Sequence, residues 1–306
     1  MTNYTNKQSP DSLLKILVCY HKPYTLPPLD DGVLLPIHVG KAISDTNLHM
    51  QADNELNGQP CDNISDKNDI YCELTAIYWA WKNLKTLYPN VEYIGLFHYR
   101  RFLTPGKRTC LNTPLFASEQ EISSFRIDPH EVTNILENKD AILSTKIIKC
   151  YPINIMFTSS CYSFREGLMM QEVIREKFPD YYDEFIRFYY DNNEYAPCQL
   201  FIMKYDDFVA YCEWLFGILF EVERRINCGS RSLGYIGELL LNVYVRKNHM
   251  KIHYCDRCIF AGDGVLAKKG LCSRFFESIR QVLKHCYCEV TFTMIKIAEK
   301  LSHQLR

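Results

Sequence analysis

Several features are missing from this 306-residue chain, and each absence narrows what it can do. No run of about 18 or more apolar residues occurs, so no transmembrane helix is expected. The opening MTNYTNKQSPDS is polar and lacks a basic stretch leading into an apolar core, so no secretory signal is expected. A cytoplasmic setting follows as an expectation, with the 14 cysteines reduced. The formal net charge is −1, without the basic excess of a general nucleic-acid binder. No Gly-x-x-x-x-Gly-Lys-Ser/Thr string is present, which counts against a P-loop hydrolase or phosphotransferase. Low-complexity tracts and internal repeats are also absent. What remains is a globular composition, 47% hydrophobic and 23% charged, long enough for one large α/β domain or two modest ones.

One cysteine pair has ligand-like spacing, Cys255-Asp-Arg-Cys258, with Cys272, His285, Cys286 and Cys288 further on. A structural zinc site needs four converging ligands at regular spacing. These spacings are irregular, so zinc is a minor expectation.

The apolar run LLKILVCY (13–20) predicts a strand buried on both faces, ended by His21-Lys22-Pro23. Ligands of open α/β sheets gather at the carboxyl ends of strands, which makes His21 and Lys22 candidates; a solvated turn explains them equally well. Residues 24–60 show no sustained period and read as an irregular segment. In CDNISDKNDIYCELTAIYWAWKNLKTLYPN, N-cap types at Asn63, Ser65 and Asp66 precede apolar residues at helical spacing, predicting a helix over 69–86. Asp62, Asn63, Lys67 and Asn68 stand at its start, where free N–H groups and a lysine favour an anion. Capping alone also explains Asn63, Ser65 and Asp66. Trp79, Trp81, Trp214 and Phe216 fall at helical spacing and are expected in the core.

A second strand, Val91 to Phe97, runs into IGLFHYRRFL (94–103), where an apolar stretch stops at His98, Tyr99, Arg100 and Arg101. Buried cations need partners. Either acids elsewhere neutralise them, or something anionic binds there. Residues 104–130 read as an inserted loop. Beyond it, helices are expected at 131–138, 164–177, 181–190 and 206–225, with strands at 141–144, 200–204 and 250–255. SRSLGYIGELLLNVYVRK (230–247) reads as a Gly-rich loop entering a helix, with Glu238 in its first turn. Residues 268–306 carry eight Lys/Arg against three Glu, and their apolar spacing allows basic amphipathic helices. Such a tail suits an anionic membrane surface, or a helix packed on the domain with its lysines in water. The division expected is a main domain over 1–265 and this tail over 266–306.

Six stretches in order, KILVCYHKP (15–23), LPIHVG (35–40), DNISDKNDIYCELTAIYWAWKN (62–83), YIGLFHYRRF (93–102), FIMKYDDFVAYCEWLFGILFEVE (201–223) and GYIGELLLNVYV (234–245), resemble the bacterial capsular and exopolysaccharide glycosyltransferases of the DUF4422 type. They span most of the chain. The resemblance implies a GT-A-like α/β fold: a mixed, mainly parallel central sheet flanked by helices, with the helical tail appended. It implies a hexosyltransferase that moves a sugar from a nucleotide-sugar donor, UDP-linked and in some relatives UDP-galactofuranose, to a growing, lipid-linked surface glycan. The place would be the inner face of the cytoplasmic membrane, with peripheral contact through the tail as an option.

The chemistry fits the residues in part. The departing diphosphate needs counter-charge. Many GT-A enzymes hold Mn²⁺ or Mg²⁺ there through Asp-x-Asp, but this chain contains no Asp-x-Asp. His98, Tyr99, Arg100 and Arg101 stand at the corresponding strand end and would replace or hold that charge. His98 could equally be a metal ligand or a sugar contact, so metal dependence stays open. An inverting transfer needs a base, for which Glu238 is the candidate, with Gly234, Tyr235 and Gly237 in its loop near the acceptor; helix-start charge stabilisation is the plainer role for Glu238. Cys198-Gln199-Leu200 replaces the Asn-Met usual in relatives before Phe-Ile-Met-Lys, which leaves the sugar undefined. The competing reading is a degenerate domain that binds a nucleotide or glycan without catalysis.

Overall fold

The computed structural model describes residues 13–106 and 115–261, together with 283, 286–287, 289–294 and 297. The chain starts with β1 (Leu14–Tyr20) and β2 (Leu34–His38), followed by the short strands β3 (Gln51–Ala52), β4 (Glu55–Leu56) and β5 (Gln59–Pro60). Helices α1 (Asn68–Tyr71) and α2 (Leu74–Leu87) lead into β6 (Tyr93–His98), β7 (Arg101–Thr104) and β8 (Leu115–Ser118). Next come α3 (Pro129–Leu136), β9 (Ala141–Ser144), β10 (Ile147–Ile148), α4 (Ile153–Ser160), α5 (Phe164–Lys177) and α6 (Pro179–Asp191). The described domain ends with β11 (Glu194–Tyr195), β12 (Phe201–Lys204), α7 (Tyr205–Arg225), α8 (Ser232–Lys247) and β13 (Ile252–Ala261).

The main sheet is mixed and follows the order β12-β9-β13-β7-β6-β1-β2-β3, with β8 beside β13. Strand β1 lies parallel to both β2 and β6, whereas β12 runs antiparallel to β6 and β9. Alternation along β1 sorts its side chains: Leu17 and Cys19 enter the core under α2, α7 and α8, and Leu14, Ile16, Val18 and Tyr20 enter the core on the opposite face. Gly95 in β6 has a packing reason. A Cβ there would sit 2.9 Å from the Phe201 carbonyl oxygen of the neighbouring strand, so only glycine fits. The lysine inside β1 is accommodated as well: Lys15 donates to the Gly32 carbonyl at 2.6 Å and lies 4.3 Å from the Tyr88 ring centroid.

Several expectations need correcting. The segment 24–60 contains β2, whose Leu34-Leu35-Pro36-Ile37 pairs along β1, so it is not irregular throughout. The expected loop at 104–130 contains β8, a 3₁₀ turn at Glu119–Ser124 and the start of α3. The helix expected over 69–86 is broken, because Cys72 takes φ 52° between α1 and α2. Trp79 and Trp214 are core residues as expected, and Trp81 stacks on Phe216 at 5.7 Å. Cys255 and Cys258 lie on β13 and are buried, while Cys272, His285 and Cys288 lie outside the described residues. No group of three or more potential metal ligands occurs among the described residues. The expected tail at 266–306 lies mostly outside the described residues, and the described positions within it are helical. No described helix is long and apolar enough to cross a membrane.

Candidate functional site

A cavity of about 440 Å³ opens at the carboxyl ends of β1 and β6, lined by residues that include His21, Glu73, His98, Tyr99, Arg100, Arg101 and Arg231. The HYRR string builds one wall through a tight hairpin. His98 ends β6, Tyr99 and Arg100 make the turn, and Arg101 starts β7 directly opposite His98. Residues paired in this way project from the same sheet face. Arg101 is therefore held beside His98, on the helix-covered side that also receives Ile94 and Leu96. Tyr99 is the hub of the turn. His21 and Tyr24 meet its ring edge-on at 5.1 and 5.0 Å, and Lys22 and Arg100 lie 5.6 and 5.1 Å from its centroid.

Several cations elsewhere in the protein are paired with carboxylates. Lys67, Arg126, Arg187, Arg224, Arg225 and Arg246 all form ion pairs with carboxylates. Among the described residues, Arg100, Arg101 and Arg231 form none. The local field shows on His21, whose pKa is lowered by burial and then by Lys22, Arg231 and Arg100. Burial and the charge of Arg101 push His98 down to about 3, so its imidazole is neutral at physiological pH. The 3.8 Å approach of its Nε2 to Glu73 is thus a polar contact and not an ion pair.

Two carboxylates sit against these cations. Glu73 follows the left-handed Cys72, and the break between α1 and α2 turns it toward the cavity; burial raises its pKa. Glu238 faces Arg101, Arg257 and Glu73 from α8, and burial pushes it up to about 7. The backbone of Cys198 joins the two sides. Its N–H donates to the Glu238 carboxylate, and its carbonyl accepts from the His98 ring. Cys198 and Gln199 hold this geometry in consecutive left-handed conformations, φ 72° and 52°. Asn242, one turn beyond Glu238, clamps the same segment by exchanging hydrogen bonds of 2.8 and 3.1 Å with the Ala196 backbone.

The cavity brings together His21, Asn68, His98, Tyr99, Arg100 and Arg101 from the sequence candidates, with Lys22 on its edge. Asp62, Asn63, Lys67 and Glu238 are not among its lining residues. Asp62 accepts from the Tyr78 hydroxyl, Asn63 closes a turn onto Cys61 and Ser65, and Lys67 pairs with Glu223 at 2.8 Å. Gly234, Tyr235 and Gly237 do not form a loop. All lie inside α8, and Glu238 stands in that helix's second turn. The glycines permit close packing: a Cβ on Gly234 would lie 3.1 Å from Cys72 Cβ, and one on Gly237 2.8 Å from Leu74 Cδ1. Tyr235 carries the Arg231 guanidinium 5.5 Å from its ring centroid.

Sequence reasoning missed Glu73 and Arg231. Arg231 takes φ 63° and its N–H donates to the Asp69 carbonyl at 2.7 Å, which ties the loop before α8 to α1. The available signal was an arginine between small residues, Gly229-Ser230-Arg231-Ser232, directly ahead of a helix.

The family described as a domain of unknown function, DUF4422, matches residues 15–249. In structure the chain is similar to the apo form of WbbM, a bifunctional glycosyltransferase, with a TM-score of 0.63 and 27% identity over 81% of this chain. It spans 45% of that chain's length. No curated protein matches.

Proposed function

The chain belongs to the DUF4422 family, and on that premise we propose that it is a glycosyltransferase of GT-A-like architecture using a nucleotide-sugar donor. The observation that carries this reading is the cavity at the strand ends with three arginines that form no ion pair among the described residues. Such a site suits a nucleoside diphosphate, because a guanidinium presents a planar fork of donors to phosphate oxygens. The donor in this reading is UDP-linked, with UDP-galactofuranose one option, and the acceptor is a lipid-linked surface glycan.

The chemistry divides among named residues. The bond from the anomeric carbon to the β-phosphate oxygen breaks, and that oxygen leaves with UDP, its charge met by Arg100, Arg101 and Arg231. An acceptor hydroxyl attacks the anomeric carbon from the opposite side and gives its proton to the Glu238 carboxylate. A base works best with a pKa near the working pH, and Glu238, pushed up to about 7, meets that condition. Neutral His98 and the Cys198 backbone position Glu238 against Arg101. Asp62, Asn63 and Lys67 act here as structural groups.

The test is calorimetric titration of UDP into the protein, with Mn²⁺ and again with EDTA, for the wild type, Arg100→Ala, Arg231→Ala and His98→Ala. Binding that survives EDTA and weakens in the arginine variants supports guanidinium counter-charge. Binding lost in EDTA points to a divalent cation at the diphosphate. No binding of UDP under either condition refutes a UDP donor. The non-catalytic alternative draws on the absence of Asp-x-Asp. Glu238→Gln separates the two readings, since an enzyme loses transfer with UDP binding retained.

A further inference from the structure

Glu73 is a cavity carboxylate that the proposed transfer leaves without a task. Its side chain lines the cavity and is 16% exposed. It accepts from its own backbone N–H, and no other described residue donates a hydrogen bond to it. Its neighbour His98 does not serve it either. The His98 Nε2 lies 3.8 Å from the carboxylate, is buried and has no hydrogen-bond partner among the described residues. The bond to the Cys198 carbonyl therefore runs from Nδ1, and in the neutral ring Nε2 carries a lone pair. Two acceptors thus face each other, and the oxygens of Glu73 remain open to a donor from outside the protein.

The fold sets Glu73 in this place at the expense of backbone strain. Cys72, just before it, takes φ 52° and ψ −130°, a combination rare for any residue with a side chain. Asn68, which also lines the cavity, stabilises that break. Its Nδ2 donates to the Cys72 carbonyl at 2.7 Å and to the Thr75 hydroxyl at 3.1 Å, and the hydroxyl donates to the same carbonyl at 3.1 Å. Asn68 is in turn packed on Gly40, where a Cβ would lie 2.7 Å from its Cγ.

A carboxylate at the edge of a guanidinium site repels phosphate, so the part of a ligand that meets it must bring hydrogen-bond donors and no negative charge. Sugar hydroxyls satisfy both conditions. Glu73 also acts on Glu238, the base of the transfer, which belongs at the anomeric carbon. The sugar is then the part of the donor that lies against Glu73. A divalent cation fits less well. Arg101 stands opposite His98, Arg101 and Arg231 both act on Glu73 and His98, and no three potential metal ligands cluster among the described residues. We propose that Glu73 is the specificity-determining residue of a sugar subsite, its carboxylate accepting from hydroxyls of the donor sugar while the arginines hold the diphosphate. The inference rests on the nucleotide-sugar reading and gives the bound donor a direction.

The experiment is calorimetric titration of the full chain at pH 8 with UDP, UDP-galactofuranose, UDP-galactose and UDP-glucose, with Mn²⁺ and again with EDTA, for the wild type, Glu73→Gln and Glu73→Asp. At least one sugar nucleotide is expected to bind the wild type more tightly than UDP. Glu73→Gln should lower the affinity for that sugar nucleotide by roughly 10- to 100-fold, the worth of hydrogen bonds to a charged acceptor. Its affinity for UDP should be unchanged or raised, because a negative charge beside the diphosphate is removed. Glu73→Asp, with the carboxylate set back by one methylene, should fall between the two, and either variant decides the matter if the other fails to fold. Parallel loss of UDP and sugar nucleotide overturns the subsite: with Mn²⁺ dependence it makes Glu73 a metal ligand, and without it a contact to the nucleoside. A sugar nucleotide that binds variants and wild type equally overturns it too, as does a wild type that binds every sugar nucleotide no more tightly than UDP. In both of those cases retained UDP binding leaves the donor reading standing. A wild type that binds none of the four ligands refutes the donor reading and the subsite with it.

Discussion

Glu238→Gln should stabilise the protein at pH 8 and leave its stability nearly unchanged at pH 4, while abolishing transfer. The carboxyl rises from its ordinary 4.5 to about 7 in the folded protein, chiefly through burial. The folded state therefore keeps the proton longer than the unfolded chain does. As pH rises through this window unfolding releases a proton, so stability falls, and above the folded pKa the deficit is constant. A shift of that size corresponds to about 3 kcal/mol. Glutamine is close to isosteric with the neutral acid, can still accept from the Cys198 N–H and never carries the charge, so it escapes that deficit. The expected rise in melting temperature at pH 8 is on the order of 5 °C. Thermal unfolding followed by circular dichroism at pH 4, 6 and 8 gives the comparison. Glu73, also raised by burial, adds a slope of the same sign to both proteins and largely cancels in their difference. Transfer measured in parallel should fall by about 10²–10⁴-fold. A stability gap that is absent or reversed at pH 8 would mean that Glu238 is an ionised partner of Arg101 and Arg257, and would refute its role as a poised base.

Arg231→Ala should weaken UDP binding by roughly 10- to 100-fold, the worth of a charge-assisted contact to phosphate, and unchanged calorimetry would remove Arg231 from the site. Lys67→Ala should leave UDP binding unaltered and cost less than about 1 kcal/mol in denaturant unfolding, because its pair with Glu223 is partly exposed. Gly95→Ala should destabilise by about 1–3 kcal/mol with no direct effect on the cavity, since the added methyl meets the Phe201 carbonyl of β12; urea unfolding decides it.

Much of the framework was legible because the patterns are local. The run ending at Tyr20 is buried along its whole length as β1, and the 164–177 and 206–225 periods match α5 and α7 closely. Strand β2 escaped because Pro36 and the surrounding turn residues suggest a loop, although Leu34, Leu35 and Ile37 are all buried. The site was harder to read because its parts are arranged by features that sequence periodicity smooths over. Glu73 lies inside a continuous helical pattern, and only the left-handed Cys72 breaks that pattern and turns the carboxylate toward the cavity. Gly234 and Gly237 suggested flexibility, whereas the packed helix uses them to bring α8 against Cys72 and Leu74.

The HYRR string shows how the local code and the long-range site meet. A strand alternates faces, so Phe97 enters one core while Leu96 and His98 belong to the other side. A two-residue turn then returns the chain with Arg101 opposite His98, and alternation sends Phe102 back to the face of Phe97. One arginine is thereby fixed inside, close to Glu73 and Glu238, and Arg100 at the turn is left exposed at the cavity. The two adjacent guanidiniums are not equivalent. The inner one has carboxylates within its field, which raises the energy required to remove it. The outer one is free to move onto a ligand. If the diphosphate reading holds, Arg100→Ala should reduce UDP affinity with little effect on folding, whereas Arg101→Ala should lower both, since it leaves Glu73 and Glu238 without their shared cation. Equal effects of the two substitutions on stability would contradict this division between the inner and outer arginine.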